Sequence, residues 1–165
     1  MIFVTTGSMF PFDRLTKAVD EWAQENVLQD VLIQIGTGEY EPLQARWVRM
    51  MRPLEFSESI NTCNLVVAHL GMGSIITAMQ AQKPIILFPR QFALGEHTSD
   101  HQLHGTDWLK DRPGIFIADD VANLHRLLND FVRGEIGQPT DKAANYASPK
   151  LIENLRRFIF NNAPK

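Results

Sequence analysis

Short apolar runs alternate with amphipathic stretches along this chain, and the alternation predicts its elements. Residues 2–5 (Ile-Phe-Val-Thr), 31–35, 65–68 and 84–88 are near-continuous apolar runs, the pattern of strands buried on both faces. Residues 46–51 alternate more loosely and predict a further strand, and residues 114–118 predict the last one. Between them lie helical patterns. Pro11 and Asp13 introduce a helix with Leu15, Ala18, Val19 and Trp22 on one face. Residues 54–63 predict a short helix. Another follows the turn at Gly71 and Gly73, with Ile75, Ile76, Ala78 and Met79 inward and Pro84 beyond its end. Asp119 or Asp120 caps a helix that buries Val121, Leu124, Leu127, Leu128 and Phe131. Residues 89–97 read as irregular, with Thr98 or Ser99 capping a following helix, and residues 134–147 as a polar loop. Ser148-Pro149 is a helix start ahead of Leu151, Ile152, Leu155, Phe158 and Ile159.

About six strands alternating with helices predict an α/β fold, a doubly wound parallel sheet of the Rossmann-like kind. At 165 residues the expectation is a single domain over 1–165. In such sheets ligands bind at the carboxyl ends of the strands. The loops after Thr5, Ile35, Ala68 and Phe88 share that edge.

Composition narrows the classes. A net charge of −3 argues against nucleic acid as a partner, and no apolar run is long enough to span a bilayer. The first residues have neither the basic flank nor the length of a signal peptide. The one cysteine, Cys63, excludes an internal disulfide and reads as a small buried hydrophobe. The expected setting is the cytoplasm.

The chemistry-bearing residues fall on the carboxyl edge. Gly71 and Gly73 let backbone approach a ligand, and Ser74 stands in the first helical turn, where unpaired N–H groups favour an anion. The spacing is neither a dinucleotide fingerprint, since Ile76 holds the third glycine position, nor a P-loop. Gly7, within Thr6-Gly7-Ser8, makes a second anion-facing loop or a plain turn. Three of the five histidines, His97, His101 and His104, lie close together. Metal binding is one reading of them, but the order of metal-hydrolase motifs is missing. Asp100 and Gln102 suit the hydroxyls of a sugar, and a glycine turn beside them suggests a nucleotide-sugar; surface capping is the alternative. No nucleophile elbow surrounds Ser74, and Glu96 with Asp100 leaves a paired-carboxylate hydrolase open. Arg46, Arg49 and Arg52 form a basic cluster, read as a solvated edge in preference to a patch facing lipid phosphates or a partner.

The string His69-Leu70-Gly71-Met72-Gly73-Ser74, then Lys83-Pro84, Pro89 and Gly95-Glu96-His97 through Asp100-His101-Gln102, resembles the C-terminal half of family 28 glycosyltransferases. Phe3-Val4-Thr5-Thr6-Gly7 and Phe12-Asp13 match the start of its half-length members. These are PssE-type subunits of exopolysaccharide synthesis and the catalytic subunit of the dolichol-linked GlcNAc transferase. The resemblance implies one half of a GT-B fold and an inverting transfer from a UDP-sugar to a polyprenyl-diphosphate-linked saccharide. It also implies a membrane-anchored, PssD-type acceptor-binding subunit that brings the chain to the inner face of the membrane. Gly71, Met72, Gly73 and Ser74 would hold the diphosphate, Phe56 would lie beside the uracil, and Asp100 and Gln102 would contact the sugar. Gly7 and His97 join them as substrate-binding positions. Thr77 stands where longer members place a ribose-binding acid, so ribose contacts are expected to differ. His69 and Glu96 are the candidate bases, unless the partner supplies one. No cofactor and no metal is expected. The alternatives are a non-catalytic nucleotide-sugar-binding regulator or scaffold, and a metal-dependent phosphate-cleaving enzyme.

Overall fold

The computed structural model describes residues 1–99, 102, 106–107, 109–137, 139 and 153. Six parallel strands form one sheet: β1 (Ile2–Thr5), β2 (Val31–Gln34), β3 (Arg46–Val48), β4 (Leu65–His69), β5 (Ile85–Phe88) and β6 (Ile115–Ile117), in the order β3-β2-β1-β4-β5-β6. Among the described residues, helices α1 (Asp13–Glu25), α2 (Pro53–Thr62), α3 (Met72–Gln80) and α4 (Val121–Val132) flank the sheet.

Period-two alternation splits the strand side chains between two cores. Ile2, Val4, Ile33, Val67 and Phe88 meet Leu15, Trp22, Leu124 and Leu128 of α1 and α4 on one face. Phe3, Val66, Ala68, Ile85 and Leu87 meet Ile60, Ile75 and Ala78 of α2 and α3 on the other. Both faces are therefore covered, as continuous apolar strands require. Two polar contacts lock α1 to α4: Trp22 Nε1 donates to Asn129 Oδ1 at 2.8 Å, and His125 Nε2 lies 2.8 Å from the Ala18 carbonyl.

Three sequence expectations need correction. Ile76 faces solvent, 43% exposed, because α3 turns Ser74, Ile75 and Ala78 inward. β3 ends at Val48, short of residue 51, and Arg52 then takes the N-cap position of α2, with Pro53 in the first helical position and Glu55 Oε2 accepting from the Arg52 N–H at 3.0 Å. The irregular run after β5 contains a short 3-10 turn, Phe92–Leu94. As for the basic cluster, Arg46 pairs with Asp30, Arg49 with Glu41 and Arg52 with Glu55, all at the surface. That is a solvated edge. Asp120 caps α4, accepting from Asn123 N at 2.7 Å. The tail helix from Ser148-Pro149 lies outside the described residues. Cys63 is fully buried, and burial pushes its thiol up to about 11, so it stays protonated and unreactive. No described helix is long and apolar enough to cross a membrane.

Candidate functional site

β1 and β4 lie side by side at the centre of the sheet, and the chain leaves them in opposite directions. Their following loops therefore diverge and open a crevice, as at any point where strand order reverses. The crevice holds about 220 Å³. Residues 6–10, after β1, form one wall; His69 at the end of β4, with Gly73 and Ser74 beyond it, forms the floor; Arg90, His97 and Gln102, after β5, form the other wall.

The floor is built by α3. Gly71 is its extended N-cap, so the N–H groups of Met72, Gly73 and Ser74 open the helix without intrahelical acceptors. Its two glycines serve different ends. A Cβ on Gly71 would stand 2.2 Å from His69 Nε2, whereas one on Gly73 would meet nothing within 4 Å. Gly71 makes room for a side chain of the protein itself. Gly73 leaves room in the crevice. Across from them Gly7 adopts φ +79°, and a Cβ there would come within 2.7 Å of His69 Cε1.

His69 is thus wedged between two glycines, and its Nδ1 is buried with no hydrogen-bond partner. Burial, followed by the charges of Arg90 and His97, pulls its pKa down to about 4 against the smaller opposing effect of the Thr5 carbonyl. The imidazole is neutral across the physiological range. An ordinary histidine pKa near 6.5 in the unfolded chain and about 4 in the folded one means that stability is complete above pH 6.5. It is lost as pH falls from there toward 4. In a proton NMR titration, the His69 ring signal, assigned by its loss in His69→Gln, is expected to stay flat from about pH 5.5 to 8. A midpoint near 6.5 would show the ring to be solvated instead.

In this structure one candidate base is engaged by other groups and the other is buried. Glu96 accepts from Arg14 Nε at 2.7 Å, from Arg14 Nη2 at 2.8 Å and from Gln91 N at 2.9 Å. Its carboxylate is built into the frame behind the crevice. His69 keeps too low a pKa to take a proton efficiently near neutrality. Phe56 does not line the crevice: its ring packs edge-on against Phe3, centroids 5.6 Å apart, against the core covered by α2 and α3. Thr77 turns its hydroxyl back to the Gly73 carbonyl at 2.8 Å. Met72, 59% exposed, stands on the rim.

His97 lines the crevice and lies 5.2 Å, ring to ring, from Phe10. Gln102 is buried, and its Oε1 accepts from Arg90 N at 3.0 Å. Asp100 lies outside the described residues, as do His101 and His104. No cluster able to hold a metal occurs among the described residues. Sequence reasoning missed Arg90, Arg14 and Phe10. The only local signal for Arg90 is its place, a charged residue two positions beyond a fully buried strand.

Residues 1–147 match the glycosyltransferase family 28 C-terminal domain. The chain belongs to that family. Its fold is similar to that of ALG13, solved by NMR, with 18% identity, a TM-score of 0.60 and 93% of each chain covered. It is also similar to the glycosyltransferase SnogD from Streptomyces nogalater, at 25% identity and a TM-score of 0.53, covering 82% of this chain and 38% of SnogD. The glycotransferase of kitacinnamycin gives 15% identity and a TM-score of 0.55, covering 94% of this chain and 37% of that enzyme. The family 28 chain thus spans nearly all of ALG13 and well under half of the other two. No curated protein matches it.

Proposed function

We propose that this family 28 chain is the donor-binding half of a two-component glycosyltransferase. The observation that carries the reading is the crevice where strand order reverses, floored by the open N–H groups of α3, in a chain whose residues 1–147 match the family. Those N–H groups and the helix dipole suit the diphosphate of a UDP-sugar, and Gly73 leaves space over them.

A crevice of about 220 Å³ is smaller than the roughly 300–1,000 Å³ in which a ligand of nucleotide-sugar size is normally enclosed. It would hold part of the donor, with a second protein surface closing over the rest. Exposed Met9, Phe92 and Leu94 on the surrounding loops, with Met72 at the start of α3, suit such a surface. The similarity to ALG13 across nearly the whole of both chains supports a half-length, PssE-type member with a separate, membrane-anchored, PssD-type acceptor subunit. The acceptor in this reading is a polyprenyl-diphosphate-linked saccharide of exopolysaccharide synthesis, at the inner face of the membrane. Its hydroxyl attacks the anomeric carbon with inversion, the bond to the diphosphate oxygen breaks, and UDP leaves toward α3. Because Glu96 is engaged by Arg14 and His69 is a weak base, the proton acceptor is assigned to the partner's side.

The engagement of Glu96 and the burial of His69 equally favour a second reading, a nucleotide-sugar-binding module without catalysis. Calorimetric titration of UDP and UDP-sugars into the chain, alone and with the co-purified acceptor subunit, tests both. Binding with turnover in the pair supports the transferase. Binding without turnover in the pair selects the non-catalytic module, and no binding in either setting overturns the donor-site reading.

A further inference from the structure

We propose that Arg90 is the positioning residue of the crevice: it holds the two loop walls, residues 6–11 and 91–97, at a fixed separation, its guanidinium spent on their backbone carbonyls. The proposal rests on the reading of this crevice as a donor site. Arg90 is 2% exposed, yet its guanidinium faces carbonyl oxygens alone among its hydrogen-bond partners. Nη2 donates to Thr6 O at 2.7 Å and to Phe10 O at 2.8 Å. Nη1 donates to Pro11 O and, at 3.1 Å, to Glu96 O. One planar fork therefore gathers three carbonyls of the wall after β1 and one of the wall after β5.

An arginine carries five N–H donors, and four of these are spent on the protein. That leaves little with which to grip a diphosphate, and it distinguishes Arg90 from a phosphate-binding cation. The rest of the residue serves the same end. Its backbone N–H holds Gln102 Oε1, and its guanidinium lies over the Phe12 ring at 4.5 Å, Phe12 itself being stacked on Phe88. Arg14 braces the second wall from behind, through Glu96 and through the Pro89 carbonyl at 2.8 Å. The Phe10–His97 ring contact at the mouth is set by these two arginines.

Lysine keeps the charge but presents three donors from one nitrogen, so it cannot span four carbonyls. A charge role is rescued by Arg90→Lys; a positioning role is not. The test compares UDP affinity and amide hydrogen exchange in wild type, Arg90→Lys, Arg90→Met and Arg14→Gln. Both Arg90 variants are expected to lose UDP affinity alike, about tenfold or more, with faster exchange confined to residues 6–12 and 91–97 and sheet amides unchanged. Arg14→Gln frees only the second wall and should give a smaller loss, about threefold, with faster exchange at residues 91–97. Wild-type affinity in Arg90→Lys, or unchanged exchange in the two loops, overturns the proposal. If Arg90→Met does not fold, the milder Arg90→Lys carries the test, and unchanged exchange at 6–12 and 91–97 in that variant overturns the proposal. If wild type itself binds no UDP, it is the donor reading that fails, while the exchange measurements still decide the role of Arg90.

Discussion

Gly73→Val is expected to abolish UDP binding, lowering affinity by about a hundredfold or more, while leaving the melting temperature unchanged or slightly raised. The two halves of this expectation come from the same geometry. A Cβ on Gly73 meets nothing within 4 Å, so the branch point of valine is accommodated, and Gly73 lines the crevice, so the added bulk fills space there. Glycine is also the poorer helix former by several tenths of a kcal/mol, which offsets any cost of the branched side chain inside α3. Gly73→Ala, adding one methyl, should give a smaller loss of about tenfold. Gly71→Ala makes the informative contrast. Its Cβ would stand 2.2 Å from His69 Nε2, so the ring must move and the melting temperature falls. Parallel calorimetry and thermal denaturation of the three variants check this. UDP binding to Gly73→Val at wild-type strength would mean that the diphosphate does not lie over the start of α3.

The difference between those two glycines is one thing the sequence could not express. Gly71 and Gly73 are alike in a string, and what separates them is a histidine ring folded back against one of them. The central strands were legible for the opposite reason. β1, β2, β4 and β5 are covered on both faces, so burial leaves its mark in consecutive apolar residues. β3 lies at the edge of the sheet, pairs on one side only, and so carries a weaker pattern that overran its end. In α3, the neighbours Ile75 and Ile76 are equally apolar, and only the packing against β4 and β5 decides that the first goes inward.

Site residues were legible where backbone geometry is local and illegible where their partners are distant. The carbonyls that Arg90 collects from Thr6, Phe10 and Pro11 come from residues 84, 80 and 79 positions away. Glu96 finds Arg14 across 82 positions. Read without those partners, Glu96 resembles a base facing the ligand; read with them, it is part of the wall. Gln102 keeps its place in the crevice but spends its carbonyl oxygen on Arg90.

The largest loss of stability is expected from Asp20, a fully buried carboxylate in the middle of α1. Its Oδ1 accepts from Gln44 N at 3.0 Å and Ala45 N at 2.8 Å, and its Oδ2 from Leu43 N and the Tyr40 hydroxyl, both at 2.8 Å. One side chain thus satisfies the backbone of the segment that leads into β3. Asp20→Ala strands three backbone donors beside the core. At roughly 1–3 kcal/mol for each unsatisfied group, the loss is on the order of 3 kcal/mol or more. For a chain of this size that is about 6–12 °C in melting temperature. Asp20→Asn should cost less. Its one carbonyl oxygen still takes two N–H groups and the Tyr40 hydroxyl can rotate to accept, but the Leu43 N–H then faces an NH₂ group.

Acid sets the limit of this contribution. Burial pushes the Asp20 carboxyl up, but the donors of Ala45, Leu43, Tyr40 and Gln44 outweigh it and hold the pKa below the usual 3.8. A folded pKa below the unfolded one stabilises the fold above pH 3.8, and the contribution is lost as pH falls through the lower, folded value. The gap in melting temperature between wild type and Asp20→Asn should therefore be constant near neutrality and narrow below pH 3.8. Tyr40 provides an independent readout. Burial, then the bond to Asp20 and its charge, raise its phenol from 10.0 to about 12, and without that carboxylate its ultraviolet titration should shift back toward 10.0. A gap that stays open into acid, with Tyr40 titrating as in wild type, would mean that Asp20 is not the charged hub of this clamp. The clamp sits half a helix away from the crevice, so UDP affinity measured well below the melting temperature should stay close to wild type. Loss of stability without loss of affinity is the mirror image of the Gly73→Val result, and together the two variants separate the frame of the sheet from the site it carries.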